Sequence, residues 1–175
     1  MTALPARRVP VPRPIPGYAR PTGVDRCFEI DLQRFGDRRG DLVVAEVGRH
    51  LPFVVQRMYA LVGVPEGAER GGHAHRALEQ VMVVLSGGLD LVLDDGVTRK
   101  TLRVDDPTRA IYLRPMVWRE LEAFAPNTVC MVLASEVYDE GDYLRDYEAF
   151  QEELSAWRGA APRTSGVFAV RGDRP

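Results

Sequence analysis

The chain has 175 residues, with 23 Lys and Arg against 25 Asp and Glu, for a formal net charge of −2. That length fits one domain with a real hydrophobic core. The charge balance leaves no basic footprint for nucleic acid, and no stretch approaches the roughly 20 apolar residues that span a bilayer. The N-terminus carries prolines and arginines where a signal peptide has an apolar run. Cys27 and Cys130 are isolated and form no metal-type spacing, so a reduced, cytoplasmic protein is expected.

Residues 1–24 hold Pro5, Pro10, Pro12, Pro14, Pro16 and Pro21 and read as an extended arm. Strand character begins at Cys27 to Leu32. A turn at Gly36-Asp37-Arg38-Arg39-Gly40 leads into a second strand, Leu42 to Val47, broken by Leu51-Pro52-Phe53. Val54 to Val62 reads as a third strand, with Arg57 and Tyr59 on one face because alternate residues share a face. Val64-Pro65-Glu66-Gly67 turns the chain into Arg70-Gly71-Gly72-His73-Ala74-His75, and one strand is expected from Gly72 to Leu85.

Asp94-Asp95-Gly96 between Leu89–Leu93 and Val97–Val104 is a hairpin signal. Short strands follow at Ala110–Leu113, Trp118–Phe124 and Thr128–Ala134. The period then changes. Tyr143, Tyr147, Phe150, Leu154 and Trp157 recur at spacings of four and three, which predicts a helix with one apolar face and Asp142 as N-cap. The expected organisation is therefore an arm over 1–24, a domain over 25–157 and a loose tail over 158–175. Short strands punctuated by Gly and Pro predict an all-β jelly-roll sandwich or barrel with one short C-terminal helix.

Two of the three histidines, His73 and His75, stand one residue apart. On a strand their imidazoles lie side by side, and Glu79 shares their parity if no bulge intervenes. His-x-His can equally be a solvated face. The flanking glycines and the apolar run Val81 to Leu85 favour a site instead. The ordinary histidine pKa of about 6.5 suits proton abstraction near neutral pH. Nearby arginines stabilise an enolate or bind phosphates bidentately, and Arg57, Arg70 and Arg119 are candidates.

The spacing of Gly67, His73, His75, Glu79 and Gly87 resembles the first motif of the cupins. Metal cupins add a third histidine from a later strand. Here that position is Glu120, and no histidine follows His75, which argues against a tight metal site. A longer set of motifs is more specific. It comprises Arg57-Met58-Tyr59, Val64-Pro65, Arg70 to His75, Leu78-Glu79-Gln80, Leu93 to Gly96, Pro115 to Trp118, Val132 to Ser135 and Tyr138 to Tyr147. These closely resemble the WxcM-like sugar-nucleotide 3,4-ketoisomerases, across about residues 26–155.

The resemblance implies a homodimeric cupin jelly roll without a catalytic metal or other cofactor. It implies an isomerase acting on dTDP-4-keto-6-deoxyglucose or a close relative, moving the ketone from C4 to C3 through an enediol. His73 is then the first choice for the base, with His75 assisting. Arg57, Tyr59 and Arg70 match family positions lining the pocket, and Glu79, Trp118 and Arg119 complete the expected substrate-binding set. The alternatives are an epimerase on such a sugar, with Tyr59 or Tyr138 as acid, a binding protein without turnover, and a metal-dependent cupin oxygenase. Ala60-Leu61, Gly72 and Arg119 stand where the family commonly has tyrosines, an aromatic residue and a histidine.

Overall fold

Two facing sheets enclose the main core, and their central strands are buried on both faces, by that core and by two outer clusters. The computed structural model describes residues 17–160. Its strands are β1 (Ala19–Pro21), β2 (Phe28–Asp31), β3 (Gln33–Asp37), β4 (Gly40–Val44), β5 (Arg57–Val62), β6 (Arg70–His75) and β7 (Gln80–Ser86). They continue with β8 (Leu89–Asp94), β9 (Arg99–Val104), β10 (Arg109–Leu113), β11 (Trp118–Glu122), β12 (Val129–Ala134) and β13 (Tyr143–Leu144). One helix, α1 (Tyr147–Ala160), ends the described chain. The expected all-β class with a short C-terminal helix is what the chain adopts.

One sheet has the order β1-β2-β10-β7-β12-β5 and the other β13-β6-β11-β8-β9, while β3 and β4 form a separate hairpin. The facing sides contribute Met82 and Val84 from β7, Leu89, Leu91 and Leu93 from β8, Ile111 and Leu113 from β10, Leu121 from β11 and Cys130 and Val132 from β12. Apolar burial of this kind is the main favourable term in folding. Cys27 and Cys130 are free thiols in this core, and burial pushes Cys130 up to about 12. The expected hairpin around Asp94-Asp95-Gly96 forms as β8 and β9.

The single strand expected from Gly72 to Leu85 is instead two strands in different sheets. Its backbone leaves the ladder over residues 76–79 because other partners take the donors. Arg76 N–H bonds the Asp142 carbonyl at 2.9 Å, and Ala77 N–H bonds the Asp142 carboxylate at 2.7 Å. Glu79 N–H bonds the Ser135 hydroxyl at 3.0 Å. The histidines and the apolar run are thus carried on opposite sheets.

The helix starts later than its apolar period suggests. Asp146 accepts from the Ala149 N–H at 2.8 Å, so it occupies the capping place expected for Asp142. Asp142 instead ends a 3-10 turn over Glu140–Asp142, and Tyr143 and Leu144 pair with His75 and Ala74 as a strand. Helix α1 then packs on the outer side of the five-stranded sheet, where Phe150 and Leu154 meet Ala74, Met116, Trp118 and Leu144.

Part of the expected arm is ordered: β1 pairs antiparallel with β2, and Thr22 and Val24 are buried. The remainder of the arm, residues 1–16, and most of the expected tail, 161–175, lie outside the described residues. Because Phe150 is fully buried, Phe150→Ala is expected to cost about 3–5 kcal/mol of folding stability, measured by urea denaturation. A loss below about 1 kcal/mol would mean that the helix is not held by this contact.

Candidate active site

Strand β6 places His73 and His75 on the inward face, between Ala74 on the outer face and the neighbouring strands β11 and β13. Their ring centroids are 4.9 Å apart and nearly perpendicular. Tyr143, paired with His75, lays its ring 4.3 Å from His75 and 5.0 Å from His73. Arg119, opposite His73 in the β11 register, points inward with it. Gly71 makes the close approach of β6 to β11 possible: its φ is +81°, and a Cβ there would lie 2.7 Å from the Arg119 carbonyl oxygen.

The hydrogen bonds assign protons. His73 Nδ1 lies 3.0 Å from the Gly71 carbonyl, which only accepts, so Nδ1 carries the hydrogen. His75 Nδ1 lies 2.9 Å from the Asp142 carboxylate, which also only accepts when ionised. In the neutral rings both Nε2 atoms therefore carry the lone pair. His75 is fully buried, and its Nε2 has no partner among the described residues.

The electrostatics keep these rings neutral. Burial, followed by the Arg119 charge, pushes His73 down to about 3. Burial pushes His75 down to about 4, with the Asp142 bond pulling the other way. Burial raises Asp142, but its bonds from His75, Ala77 and Leu78 outweigh this and hold it below the usual carboxylate range. Arg119 is 1% exposed and lowered by burial to about 10, so it remains a cation at neutral pH. Its Nε, Nη1 and Nη2 have no hydrogen-bond partner among the described residues. Unpaired donors in so dry a place suit an incoming oxygen anion.

Arg57 and Tyr59 share the inward face of β5, as their spacing predicts. The Arg57 guanidinium sits 5.4 Å from the Tyr59 ring centroid and 5.4 Å from that of Tyr138. Tyr59 accepts a hydrogen bond from Gln80 Nε2 at 2.9 Å. A cleft of about 530 Å³ opens beside Arg57, lined among others by Arg57, His75, Glu79, Asp142 and Tyr143.

Two expected site residues, Trp118 and Arg70, lie elsewhere, and a third, Glu79, only edges the cleft. Trp118 is on the outer face under α1, its ring 5.2 Å from Tyr147 and 5.7 Å from Phe150, because its neighbour Arg119 takes the inward parity. Glu79 does not share the histidine face, since β6 has ended. It edges the cleft, but its carboxylate accepts from the Tyr112 hydroxyl at 2.7 Å on the far side of β7. Arg70 is exposed at the start of β6 and, among the described residues, makes no ion pair.

The donors of a cupin metal site do not converge either. Glu120 accepts from Trp118 Nε1 at 2.8 Å and pairs with Arg99, outside the sheet. With Glu79 turned to Tyr112, no three His, Cys, Asp or Glu side chains form a metal-binding group among the described residues. This donor set does not fit a metal ion.

Residues 26–155 match the family described as FdtA: WxcM-like, C-terminal. The chain belongs to that family. It is 39% identical over 126 residues to the TDP-4-oxo-6-deoxy-alpha-D-glucose-3,4-oxoisomerase of Aneurinibacillus thermoaerophilus, covering 72% of this chain and 91% of the relative. The sugar 3,4-ketoisomerase QdtA of Thermoanaerobacterium thermosaccharolyticum, solved in complex with TDP, superposes with a TM-score of 0.73 at 34% identity, covering 75% of this chain and 96% of that one. The WlaRB TDP-quinovose 3,4-ketoisomerase of Campylobacter jejuni gives a TM-score of 0.71 at 32% identity, covering 74% and 99%. This member of the family is accordingly an isomerase of the 3,4-ketoisomerase class.

Asp142, Tyr143 and Gln80, which touch His75, the histidine pair and Tyr59, are not among the site residues expected from the sequence. Gln80 carried a signal, being a polar residue at the inward parity of Met82 and Val84. Asp142 lies within the Tyr138–Tyr147 motif, but its residue type and place read equally well as a helix cap.

The buried neutral His75 makes stability depend on pH. Its folded pKa, near 4, is below the ordinary 6.5, so the unfolded chain binds more protons between these values. Stability is therefore expected to fall as pH drops below about 6.5, by up to about 1.4 kcal/mol per pH unit from this group. Urea denaturation at about pH 7 and about pH 5.5 measures it. The His75→Asn variant should show a shallower dependence, and equal slopes would rule out a buried neutral imidazole at this position.

Proposed function

We propose that the protein moves the ketone of a dTDP-linked 4-keto-6-deoxyhexose, dTDP-4-keto-6-deoxyglucose or a close relative, from C4 to C3. The observation that carries this reading is the pair of neutral imidazoles with free Nε2 atoms beside the buried, unpaired Arg119 guanidinium. The named relatives act on or bind TDP compounds, which supports the nucleotide part. Their carbonyl-migrating activity favours isomerisation over epimerisation.

The C4 ketone makes the C3 proton acidic. One imidazole takes that proton, and the electrons move to the C4 oxygen, which Arg119 stabilises as it gains negative charge. Protonation of that oxygen and loss of the C3 hydroxyl proton convert the enediolate to its isomer. Return of a proton to C4 leaves the ketone at C3, with no net gain or loss of atoms or electrons. Arg57, beside Tyr59 and Tyr138 at the cleft, is the cation that binds the diphosphate in this reading.

We also infer a homodimer working in the cytoplasm. Edge strand β5 exposes Met58 and Val62 on its outer face, and Leu85 of β7 extends the same apolar face. The free thiols of Cys27 and Cys130 suit a reducing compartment. No described helix is long and apolar enough to cross a membrane.

Incubation with dTDP-4-keto-6-deoxyglucose in deuterated water tests the activity. NMR should show deuterium at C4 and the ketone at C3, and the C4 configuration identifies the product. The variant with both His73→Asn and His75→Asn is expected to lower kcat by at least about 10³-fold. Exchange at C3 or C5 without carbonyl migration would instead identify an epimerase. Sedimentation analysis should return twice the chain mass, and Met58→Asp should shift it toward the monomer. A native monomer would overturn the dimer.

A further inference from the structure

We infer that Asp142 is a positioning residue: its carboxylate fixes His75 in the Nδ1–H tautomer and makes His75, rather than His73, the stronger proton acceptor of the pair. The catalytic consequence rests on the isomerase reading above, whereas the tautomer is a property of the resting protein.

Asp142 lies 67 residues beyond His75 and reaches it from the 3-10 turn. Its Oδ2 accepts from His75 Nδ1 at 2.9 Å and from Leu78 N–H at 3.3 Å, and its Oδ1 accepts from Ala77 N–H at 2.7 Å. Its backbone carbonyl accepts from Arg76 N–H at 2.9 Å. One residue thus holds both the imidazole and the chain that leaves β6. These contacts leave the carboxylate little freedom to turn away.

The two imidazoles differ in what stands behind them. His73 donates to the neutral Gly71 carbonyl, whereas His75 donates to an anion. A proton arriving on either Nε2 creates a cation. Arg119 and Arg57 oppose it on His75, and Arg119 and Arg145 oppose it on His73, where the more distant Glu140, bonded to Arg145, offsets part of that. Only His75 has a carboxylate at hydrogen-bond distance to stabilise that cation. The geometry therefore orders the pair as His75 before His73, the reverse of the order suggested by the sequence resemblance.

The decisive variant is Asp142→Asn. Ala77 N–H makes the shorter of the two backbone contacts, so the amide oxygen is retained there and the NH2 faces His75 Nδ1. A donor in that place moves the imidazole hydrogen to Nε2, where it blocks proton abstraction. An aspartate-to-asparagine change behind a catalytic histidine in a serine protease lowers kcat by about 10⁴ in this way. A control is Arg76→Ala. Arg76 ties the same turn from outside, through the Gly141 and Tyr143 carbonyls and Glu153, without touching the imidazole.

Nitrogen NMR of the native protein labelled at histidine should show His75 protonated at Nδ1 and bare at Nε2. Asp142→Asn should reverse this pattern and lower kcat by about 10³–10⁴, with KM changed less than about threefold. Arg76→Ala should reduce stability while keeping the native tautomer and kcat within about fivefold. A native His75 protonated at Nε2 would overturn the inference, whatever the turnover and whether or not the variant folds. So would equal losses of kcat in the two variants with the tautomer unchanged, since those describe packing alone. A native protein with the expected tautomer but no turnover would overturn the isomerase reading and leave the positioning intact.

Discussion

The burial of Arg119 is the constraint on which the site depends. A guanidinium taken out of water without an anion at hydrogen-bond distance is costly, and burial lowers its pKa only to about 10, so it keeps its charge at neutral pH. That positive charge, in a dry interior, works against protonation of both imidazoles. It also leaves three guanidinium donors without a partner among the described residues, beside the imidazoles. The same feature that is costly to the fold locally keeps the imidazoles neutral and the guanidinium donors unpaired, which is what the proposed base and oxyanion site require. The apolar core between the two sheets supplies the stability that permits it.

The second layer of the design lies outside the sheet. Helix α1 seats Phe150 and Leu154 on Trp118, Met116 and Ala74, and this docking carries Leu144 with it. Leu144 is the outward residue of β13, so its inward neighbour Tyr143 falls across the histidines and Asp142 falls behind His75. A packing contact on one face of the sheet thereby positions the chemistry on the other. Trp118, a residue with the look of a pocket aromatic, contributes to the site through this support and not through contact with the imidazoles.

Much of the fold and part of the site were legible in the residues themselves. The exposed and half-buried alternation along Arg57–Val62 is a period-two pattern, and it placed Arg57 and Tyr59 together correctly. The Asp94-Asp95-Gly96 turn, the glycine-flanked His-x-His and the switch to helical spacing after Tyr138 are equally local signals. Parity also explains the error at Trp118. Adjacent residues on a strand face opposite ways, so Trp118 and Arg119 could not both line one pocket, and nothing local says which does.

Sequence by itself determined the strand-rich class, the terminal helix, the side-by-side imidazoles and the family, because each rests on neighbours in the chain. Tertiary structure alone decided that the run from Gly72 to Leu85 divides between two sheets, since the donors of residues 76–79 are taken by Asp142 and Ser135 from far along the chain. It also decided that Arg119 is inward, that Glu79 turns to Tyr112, and that Asp142 backs His75 instead of capping a helix. The physical reason is the range of the interaction. Periodicity and turn chemistry act over a few residues, whereas strand pairing, burial and a hydrogen bond spanning 67 residues exist only once the whole chain has folded.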